Sequence, residues 1–178
     1  MKVVSEPLPG IKVLEPFMSK DHRGEFVKPF HEKQLQAVGI EFTLKEEFFS
    51  VSSKGVIRGM HFQAPPAAHS KLIYCIQGSV EDVVLDIRKG SPTYGNLTSV
   101  ELSETNRNII YIPQGFAHGF KSTSERSILI YKTDFVHSPQ YDLGVLWNSF
   151  EFEWGEEDPI LSTRDQGHPA FQDFVTPF

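Results

Sequence analysis

Two stretches carry side chains that can do chemistry. In Gly55-Val56-Ile57-Arg58-Gly59-Met60-His61-Phe62-Gln63 a guanidinium and an imidazole interrupt residues suited to a sheet interior, and Lys71 follows. On a strand of period two, Arg58 faces one side while Ile57, Gly59, His61 and Gln63 face the other. A bulge at Gly59, where no Cβ intrudes, would turn Arg58 and His61 towards one cavity. Buried charge is costly unless paired, so these groups either find partners or face an anionic ligand. The second stretch, Pro113-Gln114-Gly115-Phe116-Ala117-His118-Gly119-Phe120, reads as a tight turn that delivers a histidine near the start of the next strand. His61-Phe62-Gln63 holds only one of the three or four donors a transition metal wants, so no metal is expected.

The elements that must position these groups are mostly strands. Strands are expected over residues 11–16, 25–30, 43–52, 56–63, 70–77, 80–88, 96–102, 107–112, 117–122 and 126–135, separated by turn signals such as Lys54-Gly55, Gln77-Gly78 and Lys89-Gly90-Ser91-Pro92. Asp21-His22-Arg23-Gly24 is a turn. Residues 31–38 form the one convincing helix, stopped by Gly39. Short strands at this spacing indicate a sandwich or barrel, hence an all-β fold. Val83-Val84-Leu85-Asp86-Ile87 is too apolar for a one-sided strand and should lie between two packed faces. Residues 136–178 read as a covering segment, with Trp147 and Trp154 available to pack on the barrel.

With 178 residues, 39% hydrophobic and 22% charged, the chain is expected to be a single globular domain spanning 1–178. A net charge of −6 argues against a nucleic-acid binder, yet leaves room for a local basic cluster that attracts a small anion. The one cysteine, Cys75, sits in an apolar run as a packed strand residue. No apolar run approaches the ~18 residues of a membrane span. No membrane association and a cytoplasmic location are expected.

The pattern Pro113-x-Gly115-x-x-His118 resembles the second motif of the cupins. A longer ordered series is more specific. Val56 to Gln63, Lys71-Leu72, Asp82 to Arg88, Ser91-Pro92-Thr93-Tyr94-Gly95, Ile112 to Phe120, Tyr131-Lys132 and Leu161-Ser162-x-Arg164-Asp165 together resemble the dTDP-4-dehydrorhamnose 3,5-epimerase family, from about residue 10 to 170. The resemblance implies a cupin jelly-roll barrel, a homodimer, no cofactor and no metal. It also implies an isomerase acting on a nucleotide-diphosphate sugar in deoxysugar and surface-polysaccharide (O-antigen) biosynthesis.

Such an enzyme removes a proton beside a ketone and returns it on the opposite face. That needs a base near neutral pKa, an electrophile at the carbonyl oxygen and an acid across the ring. By the resemblance His61 is the base, Asp165 its carboxylate partner, Lys71 the stabiliser of the enolate oxygen and Tyr131 the proton donor. Arg58 and Arg23 would hold the diphosphate, and His118, Asp142 and Arg164 would contact substrate. Asp86 and Arg88 are read as a structural ion pair.

Departures from the family concentrate where the nucleotide would bind. The family's Gln-x-Asn is here Glu46-Glu47-Phe48, a family Glu is Lys28, and paired tyrosines are Val136-His137. If position 28 meets the base edge, an ammonium in place of a carboxylate would favour cytosine. A CDP-linked 4-keto-6-deoxyhexose is therefore expected ahead of a dTDP-linked one, with inversion at C3 and C5 or at C3 alone. A sugar-nucleotide 3,4-ketoisomerase and a non-catalytic or metal-dependent small-molecule-binding cupin are the alternative readings.

Overall fold

The computed structural model describes residues 1–178. Two antiparallel sheets face each other. The first runs in the order β1 (Lys2–Ser5), β2 (Lys12–Glu15), β10 (Ile109–Ile112), β7 (Lys71–Gln77), β12 (Arg126–Thr133) and β5 (Glu46–Ser53). The second runs β13 (Asp142–Gly144), β6 (Ile57–Gln63), β11 (Phe116–Ser122), β8 (Ser79–Asp86) and β9 (Leu97–Ser103). A separate hairpin pairs β3 (Phe17–Asp21) with β4 (Gly24–Lys28) and joins neither sheet. Two short helices, α1 (Glu32–Ala37) and α2 (Thr163–Gln166), complete the elements that matter here. The architecture is the cupin jelly roll.

Alternation along the strands decides which residues meet between the layers. Ile73, Cys75, Leu129 and Tyr131 of the first sheet pack against Val80, Val84, Leu102, Phe116 and Phe120 of the second. The opposite face of the second sheet carries Ile57, Met60, Phe62, Val83 and Leu85. The C-terminal segment covers that face with Trp154, Phe174 and Phe178, while Trp147 packs against the same cluster. Strand β8 therefore lies between two packed faces, as its unbroken apolar run predicted. Helix α1 closes part of the first sheet's outer face, where Leu35, Ile40 and Phe42 meet Leu14, Leu72 and Ile109.

Asp86 at the end of β8 is buried and accepts bonds from Arg88 Nε and Nη2, Ser91 Oγ and Thr93 Oγ1, at 2.7 to 2.9 Å. It is structural, as expected. The sequence reading missed β1, β3, β13 and α2. All are three to five residues long, too short for periodicity to register. The expectation of one helix is corrected by α2, whose four residues include Asp165.

Candidate active site

At Gly59 the ladder between β6 and β11 slips. His61 pairs with His118 and Arg58 with Phe120, so Gly59 and Met60 together oppose Gly119. Gly59 holds φ +137, and a Cβ there would stand 2.5 Å from Gly119 Cα, which only glycine avoids. The bulge turns both Arg58 and His61 into one cavity of about 370 Å³ at the open end between the two sheets.

His61 stands on β6, and its Nε2–H donates to Asp165 Oδ1 at 2.8 Å. The carboxylate arrives from far along the chain. Backbone bonds from Ile57 to Ile160 (3.1 Å) and from Ile160 to Gly55 (3.0 Å) fasten the C-terminal segment to the start of β6. Helix α2 then begins at Ser162, whose Oγ accepts from the Asp165 N–H at 3.1 Å. Asp165 Oδ2 accepts the Gly59 N–H at 3.1 Å. Burial alone would raise this carboxyl, but the His61 contact and the Gly59 and Ser162 bonds hold it below its ordinary range. An ionised Asp165 fixes Nε2 as the protonated nitrogen and leaves Nδ1 free to accept a proton.

Lys71, first residue of β7, donates from Nζ to the His61 carbonyl at 3.2 Å. Burial lowers its ammonium to about 8, against the pull of Asp142 and Asp82. Tyr131 on β12 shares a hydrogen bond with Ser50 Oγ at 3.2 Å, and its ring stacks on Phe48 at 4.8 Å with 9° between planes. Burial raises the phenol, so it stays protonated through the neutral range.

His118 bonds Asp82 at 2.7 Å inside the barrel. Burial pushes the imidazole down and the carboxyl up, the direction expected of a pair that leaves water together.

Towards the mouth, Arg58 is tied by Nε to Ser52 Oγ and by Nη2 to the Val51 carbonyl, both at 3.1 Å. Asp142 bridges Arg164 (2.8 Å) and His137 (3.1 Å), and Glu46 accepts the His137 N–H at 2.6 Å. The cavity gathers Arg58, Lys71 and Arg164 beside the carboxylates Glu46, Asp142 and Asp165. Arg164 is paired with Asp142, whereas Arg58 and Lys71 form no ion pair and are the cations available to an anionic ligand.

Of the residues named from sequence, His61, Lys71, Tyr131, Asp165, Arg58, Glu46, Phe48, His118, His137, Asp142 and Arg164 all line this cavity. Arg23 and Lys28 do not. Arg23 is exposed on the β3–β4 turn and pairs with Asp21 at 2.6 Å, and Lys28 lies 6.0 Å from the Phe17 and Phe26 rings. Sequence reasoning missed Ser50, Gln63 and His69, which also line it, and Asp82, which holds His118. Asp82 had a signal, because it shares the inward face of β8 with Val80 and Val84. His69 had none, since the turn that folds it onto Gln63 at 2.9 Å is tertiary; burial lowers it to about 3.

The decisive arrangement concerns the two sheets. His61 stands on the five-stranded sheet, whereas Lys71 and Tyr131 stand on the six-stranded one. A ligand between them meets the His61 imidazole on one face and a protonated phenol on the other.

Residues 5–173 match the family model described as dTDP-4-dehydrorhamnose 3,5-epimerase. A dTDP-4-dehydrorhamnose 3,5-epimerase from Shigella flexneri is 39% identical over 176 residues, covering 97% of each chain. The dTDP-4-dehydrorhamnose 3,5-epimerase of Bacillus anthracis, crystallised with TDP and PPi bound, superposes with a TM-score of 0.93 at 38% identity, over 96% of this chain and 99% of that one. The dTDP-6-deoxy-D-glucose-3,5-epimerase of Legionella pneumophila, in complex with dTDP-4-keto-L-rhamnose, gives 0.92 at 32% identity over 96% and 93%.

Proposed function

This chain belongs to the dTDP-4-dehydrorhamnose 3,5-epimerase family, and on that footing we propose that it inverts carbons beside the 4-keto group of a dTDP-linked 4-keto-6-deoxyhexose. His61 Nδ1 takes the proton from the carbon next to the ketone, and the C–H electron pair moves into an enolate. The Lys71 ammonium meets the charge that develops on the carbonyl oxygen. Tyr131 O–H delivers a proton to the other face of the same carbon. His61 then releases its proton to water and the phenolate regains one, so the cycle closes without a cofactor. Arg58 and Arg164 are assigned to the diphosphate and its neighbourhood, and His118, held by Asp82, to the sugar.

The observation that carries this reading is the placement of His61 and Tyr131 on opposing sheets around one cavity. The test is incubation with dTDP-4-keto-6-deoxyglucose in D2O, read carbon by carbon by NMR. Deuterium at C3 and C5 is expected. No deuterium at either carbon with pure, folded protein would sink the assignment.

The expectation of a cytidine nucleotide finds no support. It required Lys28 at the base edge, and Lys28 lies outside the cavity of its own chain. The nucleotides bound by the two crystallised relatives are thymidine ones. Calorimetry with dTDP and CDP is expected to favour dTDP. Inversion at C3 alone is a second reading, favoured by one contact: the Phe48 ring lies flat on Tyr131 and narrows the positions the phenol can reach.

The functional unit is proposed to be a homodimer in the cytoplasm, where a lone buried thiol such as Cys75 is at home. The β3–β4 hairpin joins neither sheet yet exposes Phe17, Met18 and Phe26, while β5 exposes Phe49 and Val51 at the sheet's edge. A second copy of the chain would cover these surfaces. Light scattering should give twice the chain mass, and Phe49→Glu should halve it.

A further inference from the structure

Beside the dyad, and not among the residues that line the substrate cavity, sits a third donor that the reaction does not use. His168 follows α2, its ring stands edge-on to that of His61 at 5.6 Å between centroids, and its Nε2 lies 4.0 Å from Asp165 Oδ1. That nitrogen is buried and has no hydrogen-bond partner. We propose that His61, Asp165 and His168 form a site for a divalent transition-metal ion of the zinc type, whose occupancy switches the enzyme off. One donor atom from each of the three lies within 4.8 Å of the others.

The chemistry of the donors fits such an ion. Two imidazoles and a carboxylate are a frequent zinc set, with an open fourth position for water. Donors about 2.1 Å from a tetrahedral centre stand about 3.3 Å from one another. The two pairs measured here, 2.8 Å for His61–Asp165 and 4.0 Å for His168–Asp165, straddle that spacing. The third pair, His61–His168, lies within 4.8 Å, so the triangle closes when the His168 ring moves towards the dyad.

The surroundings are also those of a ligand set. Asp165 Oδ2 is held by the Gly59 N–H, which leaves Oδ1 oriented towards both histidines, the outer contact that ligating carboxylates ordinarily have. His168 is seated by the backbone: Pro169 O accepts the Leu146 N–H at 2.8 Å, and Gly144, paired with His61 across the ladder, leaves room for the ring. A Cβ at Gly144 would meet His168 Nε2 at 2.4 Å. His61 and Asp165 both line the cavity, which gives an ion access to two of the three donors.

A bound dication takes the Nε2 of His61 and the charge of Asp165. The Nε2 proton is displaced and the neutral, metal-bound ring carries its proton on Nδ1, which then has no lone pair to take one from substrate. Binding stands without any assignment of the reaction, whereas the inhibition rests on the epimerase reading.

Cobalt(II) serves as the spectroscopic probe and zinc as the competitor, with full-length protein first stripped by EDTA. One cobalt per chain with tetrahedral visible bands is expected, displaced by one equivalent of zinc. Solvent-deuterium incorporation into substrate should fall at least about tenfold with zinc and recover with EDTA. His168→Gln and His168→Ala should each bind at least about tenfold more weakly and resist inhibition in proportion. No tetrahedral bands, or cobalt bound by folded His168→Gln as tightly as by wild type, overturns the proposal. Exchange without metal binding defeats this site alone; metal binding without any exchange defeats the epimerase reading alone.

Discussion

His61 Nε2 and Asp165 Oδ1 stand 2.8 Å apart across 104 residues of chain. The contact exists because the C-terminal segment bonds to the start of β6 and lays α2 against it. Asp165→Asn keeps the shape and the acceptor for Gly59 N–H but removes the charge that stabilises a protonated imidazole. Deuterium exchange is expected to slow by about 10²–10⁴ while near-UV circular dichroism is retained. His61→Ala should abolish exchange.

In the proposed reaction Tyr131 provides the proton on the face opposite His61, so its loss should separate the two halves. In Tyr131→Phe some exchange at the first carbon should survive, because His61 both takes and returns the proton. Net inversion should fall about 10²-fold, measured as the ratio of epimerised to merely deuterated sugar. Equal loss of both would contradict the division of labour.

Lys71, as the proposed partner of the enolate oxygen, is expected to set the alkaline limit. Its ammonium is lowered to about 8 by burial, and only the protonated form can meet the enolate charge. As pH rises through about 8 the cation is lost, so kcat/KM should decline there. Lys71→Gln should remove that alkaline limb and lower kcat by about 10²–10³.

The Phe48 ring lies flat against that of Tyr131, the proposed acid. Phe48→Asn should free the Tyr131 ring and raise the ratio of C5 to C3 exchange, read from the same NMR spectra. An unchanged ratio would show that the stack does not govern which carbon is reached.

Asp86 tests the scaffold rather than the chemistry. Burial alone would raise its carboxyl, yet bonds from Arg88, Thr93 and Ser91 hold it at about 2, against 3.8 for the free group. A depressed carboxyl stabilises fully above its unfolded pKa and loses that stabilisation as pH falls towards the folded value. The contribution, about 2 kcal/mol, should therefore disappear between about pH 4 and pH 2. Denaturation curves of Asp86→Asn should show a loss of at least that size at pH 6 and a flatter acid limb.

Much of this was legible in the linear chain. The β-branched and aromatic runs of β7, β8 and β12 and the turn signals between them dictate strands, because such side chains fit a pleated, packed surface. The double-sided run in β8 foretold the covering segment that Trp154, Phe174 and Phe178 supply. Even the bulge at Gly59 was written locally, since two polar groups on opposite faces of a strand reach one cavity only if the ladder slips. The ordered motifs that mark the family named most of the cavity wall.

What the tertiary structure alone decided is who meets whom. Asp82 behind His118, His69 on Gln63 and His168 beside the dyad follow from the register of strands and the docking of a four-residue helix. Neither leaves a period in sequence. Position 28 shows the converse: its chemistry was plain in the sequence, but the hairpin carries it away from its own cavity. Side-chain type is a local property. A site is a relation among distant strands, fixed by burial and backbone pairing over the whole barrel.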